Sequence, residues 1–198
     1  MKVLALELSS PVGSVAFCDD DGGRDLRVFP ADRKDSGFFY ENLQAAYSDG
    51  KKPDVIVVGL GPGSYAGVRI AIATAIGLQS ACGARLRGLP SICAIDRAEY
   101  LFVGDARRNS YFFAHVKAGE FVEAPTLGSA DEISLRLAAA PDWPVLATEP
   151  LSPFEQATIE NPSALRLVEI ATEKEQLEEL PLEPIYLRAP YITTPRSR

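Results

Sequence analysis
The stretch Gly59-Leu60-Gly61-Pro62-Gly63-Ser64-Tyr65-Ala66-Gly67-Val68-Arg69-Ile70-Ala71-Ile72-Ala73-Thr74-Ala75-Ile76-Gly77 follows a short β-branched run, Val55 to Val58. That run, bounded by glycine, reads as a buried strand. The glycines make a strand-to-helix turn, and the residues after them read as a helix from about Ser64 to Cys82. Gly83, which tolerates positive φ, ends it. Surface helices of soluble proteins are apolar along one stripe, whereas a helix apolar all round is covered on all sides. One face must pack on the chain's own sheet. The other is covered either by the rest of the chain or by another protein, and each large apolar side chain left bare there would forgo roughly 1.5–3 kcal/mol.

Outward from this stretch, the pattern is that of an α/β protein. Val3 to Glu7, Ser14 to Cys18 and Arg24 to Phe29 read as a three-strand meander with turns at Ser9–Gly13 and Asp19–Gly23. Ser36 to Tyr47 reads as a helix with Ser36 as N-cap. Leu86 to Leu89 is a short strand, and Pro90-Ser91 opens a helix to about Arg97. Then the pattern restarts: a strand from Tyr100 ends at Asp105, turns through Ala106-Arg107-Arg108-Asn109, and returns over Ser110 to Lys117. The first hairpin likewise ends a strand at Glu7 and returns at Ser14. This echo divides the chain into lobes at 1–99 and 100–198. A helix from about Asp131 to Ala140, a strand at Val145 to Ala147 and a helix near Pro162 to Thr172 follow. The stretch 173–183 is acidic surface, and Pro184-Ile185-Tyr186-Leu187-Arg188 reads as a final docking strand.

The chain has 198 residues, of which 46% are hydrophobic, enough for a substantial core. No apolar run is long enough to span a membrane, and the N-terminus is too soon acidic for a signal peptide. The three cysteines are far apart and suggest a reducing, cytoplasmic setting. A net charge of −7 gives no general attraction for nucleic acid; the densest basic cluster is Arg188, Arg196 and Arg198 in the tail. The single histidine, His115, lies in a strand. With no cysteine cluster beside it, zinc is excluded. Ser64 sits on a strand-to-helix turn but lacks the Gly-x-Ser-x-Gly pattern, which excludes a hydrolase triad.

Two features could carry chemistry. The glycine loop at a helix N-terminus suits approach to an anion, although it lacks the Lys-Ser/Thr ending of a P-loop; tight packing explains the same spacing. Glu7 and Asp105 end equivalent strands, as paired acids do around a metal-bound phosphate. The loops after them are poor in glycine and so poorly suited to ATP. Glu7, Ser9, Gly61, Gly63, Ser64, Arg69, Asp105 and Arg107 are therefore the positions that could meet an anion or nucleotide, and a small kinase or phosphotransferase is the alternative reading.

Gly61-Pro62-Gly63-Ser64-Tyr65-Ala66-Gly67-Val68-Arg69-Ile70 resembles the signature of the bacterial TsaB family. Leu4-Ala5-Leu6-Glu7-Leu8-Ser9-Ser10, Asp105-Ala106-Arg107 with Tyr111-Phe112-Phe113-Ala114, and Pro184 to Arg188 resemble other parts of it. TsaB is the non-catalytic partner of TsaD in making threonylcarbamoyladenosine on tRNA. The resemblance implies a two-lobed actin-like fold related to ribonuclease H, with mixed sheets flanked by helices. It implies pairing of the helices near 36–47 and 64–82 with TsaD or with a second copy, the ATPase TsaE in a ternary complex, and tRNA met through the complex. It implies no cofactor, no metal and no protease activity. Spacing assigns Phe39, Leu43, Tyr47, Val68, Ala71, Ile72 and Ala75 to the partner-facing side. Glu7 stands where the family usually has Asp, and Asp35 where a His is common.

Overall fold
The computed structural model of the protein describes residues 1–31, 36–47, 51–140, 142–173 and 181–188. Asp35, Arg196, Arg198 and positions 174–180 of the acidic stretch lie outside them. The first half folds as β1 (Val3–Glu7), β2 (Val12–Cys18), β3 (Arg24–Pro30), α1 (Gly37–Ala46), β4 (Val55–Gly59), α2 (Tyr65–Cys82) and β5 (Arg85–Leu89). The second folds as β6 (Glu99–Asp105), β7 (Tyr111–Lys117), β8 (Glu120–Gly128), α3 (Ala130–Ala138), β9 (Val145–Ala147), β10 (Thr158–Ile159) and α4 (Ala164–Glu173).

Each half builds a five-stranded sheet of one topology. The first runs β3-β2-β1-β4-β5 and the second, read from its far edge, β8-β7-β6-β9-β10. In both, the first three strands are antiparallel and the last two pair in parallel with their neighbours. The echo between the two hairpins is thus a repeat of the whole sheet, and the molecule has two mixed sheets flanked by helices.

The central strands β1 and β4 are buried on both faces. Side chains alternate across a strand, so Leu4, Leu6, Ile56 and Val58 meet α1 and α2, while Val3, Ala5, Val55 and Val57 meet α4. The first lobe is therefore completed by a helix from the end of the chain. Ser14 Oγ accepts the Ala164 amide at 2.9 Å, the Ala94 carbonyl accepts the Ser163 amide at 2.9 Å, and the Arg87 guanidinium donates to the Ala171 carbonyl at 2.7 Å. Ile170 of the same helix lies close against Gly119 in the β7–β8 turn, so α4 also touches the second lobe.

Three expectations are corrected. The helix read over Pro90 to Arg97 is a single 3-10 turn, Ser91–Cys93. Ser91 to Ile95 are all buried, and a segment wedged between sheets on every side has no helical stripe to follow. Strand β8 has no strand signal in the sequence. It is an edge strand of alternating exposed and half-buried residues, and it contains Pro125, which central strands exclude. Residues 184–188 dock but are not a strand. The cap at Gly83 has the expected left-handed geometry, φ 72°, whereas Ser36 makes no side-chain cap bond.

The dependence of the first sheet on α4 has a direct consequence. Leu167 is fully buried against that sheet, so Leu167→Ala lowers unfolding free energy by about 2–5 kcal/mol. Urea denaturation measures it, and a loss under 1 kcal/mol would show α4 to be peripheral.

Candidate functional site
Around the glycine run, the chain passes over itself at close range. A β-carbon on Gly59 would stand 1.8 Å from Glu7 Oε2, one on Gly63 2.1 Å from the Ser9 carbonyl oxygen, and one on Gly67 2.0 Å from the Leu8 carbonyl oxygen. Gly61, with φ 85°, occupies a conformation open chiefly to glycine. The amides of this loop are committed: Ser64 N–H donates to the Ser9 carbonyl at 2.6 Å, and Gly61 N–H to Ser91 Oγ at 2.9 Å. Gly67 N–H donates to Ser64 Oγ at 3.3 Å, capping α2. The packing explanation of the spacing therefore accounts for Gly61, Gly63 and Ser64, and the N–H groups of Gly61 and Ser64 already have protein acceptors.

Glu7 does not face the space between the lobes. Its side chain is fully buried; Oε1 accepts the Ser9 amide at 2.7 Å, and Oε2 has no hydrogen-bond partner among the described residues. Burial pushes its carboxyl above the ordinary 4.5, against the opposing pull of the Ser9 hydrogen bond. Asp105 makes the equivalent bond in the second lobe, accepting the Arg107 amide at 2.7 Å, and its other oxygen pairs with the Arg107 guanidinium at 2.8 Å. Both acids thus close a turn with the amide two residues on. Asp105 differs in lying at the surface of the cleft. Arg107, Arg108 and Asn109 follow in left-handed backbone, φ 66°, 56° and 55°.

The cleft between the lobes encloses about 500 Å³. The structure brings Ser9, Gly63, Ser64, Asp105 and Arg107 together on its walls, and Ser10, Thr148 and Glu149 join them. Glu7, Gly61 and Arg69 are not on those walls. Arg69 is exposed on α2, where its guanidinium bonds the Tyr65 hydroxyl and lies over the Tyr65 ring. Among the described residues there is no group of three or more His, Cys, Asp or Glu side chains placed to hold a metal ion.

The partner-facing assignment of helix residues is corrected. Phe39, Leu43, Val68, Ala71, Ile72 and Ala75 are buried in the first lobe's own core, and half-buried Tyr47 packs against it. The outer surface lies on the adjacent stripes. On α1 these are Phe38 (48% exposed) and Tyr40 (49%), and on α2 Ala66, Ala73, Ile76 (47%) and Gly77. The helix is apolar on both sides, and spacing alone does not say which side its own sheet takes. Gly77 carries the missing signal: a β-carbon there would meet nothing within 4 Å among the described residues. A mid-helix glycine costs about 1 kcal/mol relative to alanine, and packing within the chain gives no reason for it.

Residues 38–122 match the family model of TsaD, tRNA N6-adenosine threonylcarbamoyltransferase. An uncharacterized Mycobacterium leprae protein is 31% identical over 144 residues, 69% of this chain and 38% of its own length. An uncharacterized Mycobacterium tuberculosis protein is 31% identical over 144 residues, 69% of this chain and 65% of its own. The chain thus spans less than two thirds of these relatives. A Pseudomonas aeruginosa structure described as similar to peptidase YeaZ superposes with TM-score 0.78 at 21% identity, covering 94% of this chain and 99% of that one. A structure of YeaZ from the same organism gives 0.70 at 19% identity, with coverage of 94% and 99%. Residues 38–122 thus match the TsaD family model, and the fold is that of the YeaZ structures.

The buried Glu7 carboxyl gives a test of sign. A group whose pKa is raised on folding contributes stability below its unfolded pKa, and that contribution is lost as pH rises through the folded value. Glu7→Gln should therefore be more stable than the parent at pH 8, with the difference shrinking as pH falls toward 4.5. Denaturant titrations of both proteins across that range check it; a difference independent of pH would mean that Glu7 does not titrate there.

Proposed function
We propose that this chain is a TsaB-type accessory protein. It binds a TsaD-type protein and supports its threonylcarbamoylation of tRNA adenosine, without performing the chemistry itself. The reading rests on the TsaD-family segment and on the fold shared with YeaZ, a TsaB homologue. The observation that carries it is the outer side of α2, where Ile76 and the small residues Ala66, Ala73 and Gly77 are exposed; Phe38 and Tyr40 are exposed on α1. An apolar face lined by small residues lets a second helix approach closely. The occupant we assign to it is the corresponding helix pair of the TsaD-type protein, with a TsaE-type ATPase joining the complex. The tRNA meets the complex mainly through the partner, consistent with a net charge of −7 on this chain.

The committed Gly61 and Ser64 amides and the buried Glu7 carboxyl weigh against a phosphotransferase, which needs donors and acids free to meet phosphate.

The direct test is reconstitution from TsaC, TsaD and TsaE with tRNA, threonine, bicarbonate and ATP, with and without this protein. Modified adenosine forming only in its presence supports the accessory role; equal yields in its absence overturn it.

A pair of variants tests the interface. Ile76→Asp, on the exposed stripe, abolishes co-elution with the TsaD homologue while leaving the melting curve near that of the parent. Ile72→Asp, in the core, loses about 3 kcal/mol or more of stability, because it buries a charge without a partner. Normal complex formation by Ile76→Asp would remove this face from the proposal. A change in this chain's own oligomeric state, with TsaD binding intact, would assign the face to a second copy.

A further inference from the structure
The segment 181–188 touches both lobes. Leu182 and Ile185 pack on the core beneath α1 and α2, whereas Leu187 packs on the core of the second sheet with Tyr100, Phe102 and Phe112. Its backbone is tied at Ile185, whose N–H donates to the Leu60 carbonyl at 2.9 Å. Tyr186 lies against Tyr65, the first residue of α2, with ring centroids 5.8 Å apart. Pro184 to Arg188 line the same 500 Å³ cavity as Ser9, Ser64, Asp105 and Arg107. The segment makes no helix or strand, and its apolar side chains are only half-buried. Pro181 and Pro184 restrict its φ angles before docking, which lowers the entropy of fixing it in place.

We propose that residues 182–187 are an intramolecular clasp. It holds the two lobes in the arrangement seen here, roofs the cavity between them, and opens the cleft when it lets go. Each lobe has its own sheet and its own core, so the clasp can release without either lobe unfolding. Opening of this kind is expected of segments with few buried contacts and no regular structure. The inference does not depend on the accessory role proposed above.

Hydrogen exchange read by mass spectrometry on the full chain tests it. Ile185→Pro removes the N–H that Leu60 accepts, and Leu187→Asp removes the contact with the second lobe. Val122→Asp, at an exposed apolar position outside the cavity, is the control for a surface charge. In both clasp variants, peptides spanning Gly61–Ser64 and Asp105–Arg107 should exchange about tenfold faster or more, while those from β1 and β6 keep the parent's protection. The control should match the parent throughout. Unchanged exchange at the two cleft loops would show the segment to be a passive covering. Equal loss of protection in β1 and β6 would show it to be part of the core, and would equally overturn the clasp.

Discussion

Everything in the first lobe depends on how closely the loop after β1 approaches the start of α2. The carbonyls of Leu8 and Ser9 sit where the β-carbons of residues 67 and 63 would be, and Glu7 Oε2 sits where that of residue 59 would be. Glycine at 63 and 67 lets the backbones meet, and glycine at 59 leaves room for the Glu7 carboxyl. Real β-carbons essentially never come within 3.0 Å of another heavy atom, and the neighbours here include backbone that cannot swing aside. The contact fixes α2 against the sheet and caps it at Ser64. It also engages the Ser64 amide, and Ser91 Oγ engages that of Gly61, so neither is left for a phosphate to meet. One local constraint thus settles both the tilt of the helix and the fate of its glycine loop, which serves as a lock between chain segments.

The two lobes share a sheet topology but differ in what they lay on it. Between β4 and β5 the first lobe inserts the 18-residue α2; between β9 and β10 the second inserts only the 3-10 turn Ser152–Phe154. Phe154 fills the space there as a single buried aromatic, edge-on to Tyr111 at 5.1 Å. The turn after the first strand is conserved between the lobes at the level of one hydrogen bond, Glu7 to the Ser9 amide and Asp105 to the Arg107 amide. Its setting is not: Glu7 is sealed behind Gly59, and Asp105 borders the cleft. The molecule is therefore a repeat in topology and asymmetric in surface, with the long apolar helix on one lobe alone.

Most of the fold was legible in the sequence because its signals are local. Val55 to Gly59 followed by glycine and an apolar helix, the Gly83 stop, and the matched hairpins at Glu7 and Asp105 each carry their structure within a few residues. What escaped notice depends on distant neighbours. Ser91 to Ile95 is buried by both sheets and so lacks any periodic face. Strand β8 is half-exposed and holds a proline, so it resembles a loop until β7 pairs with it. The burial of Glu7 follows from Gly59, fifty-two residues away in sequence, and no pattern around Glu7 announces it. Burial of the inner stripe of α2 was the hardest to read. Val68, Ala71, Ile72 and Ala75 are no more apolar than Ile76 with Ala66 and Ala73, and only the sheet decides between the two stripes.

That decision changes what the outer stripe means. With the inner stripe satisfied by β1 and β4, nothing inside the first lobe's core requires Ile76 to be apolar or residue 77 to lack a side chain. The clasp does not supply the reason, because Tyr186 meets α2 at Tyr65, about three turns before Ile76. A solvated helix surface would be better served by charged residues with good helix propensity, and this chain, with 24% charged residues, has them elsewhere. Small and apolar residues on an outer helix face suit contact with another helix at the short interaxial distances of about 8–10 Å that such residues permit. The composition of the stripe around Ala73, Ile76 and Gly77 suits coverage by another helix, which is what the proposed accessory role would require of this surface.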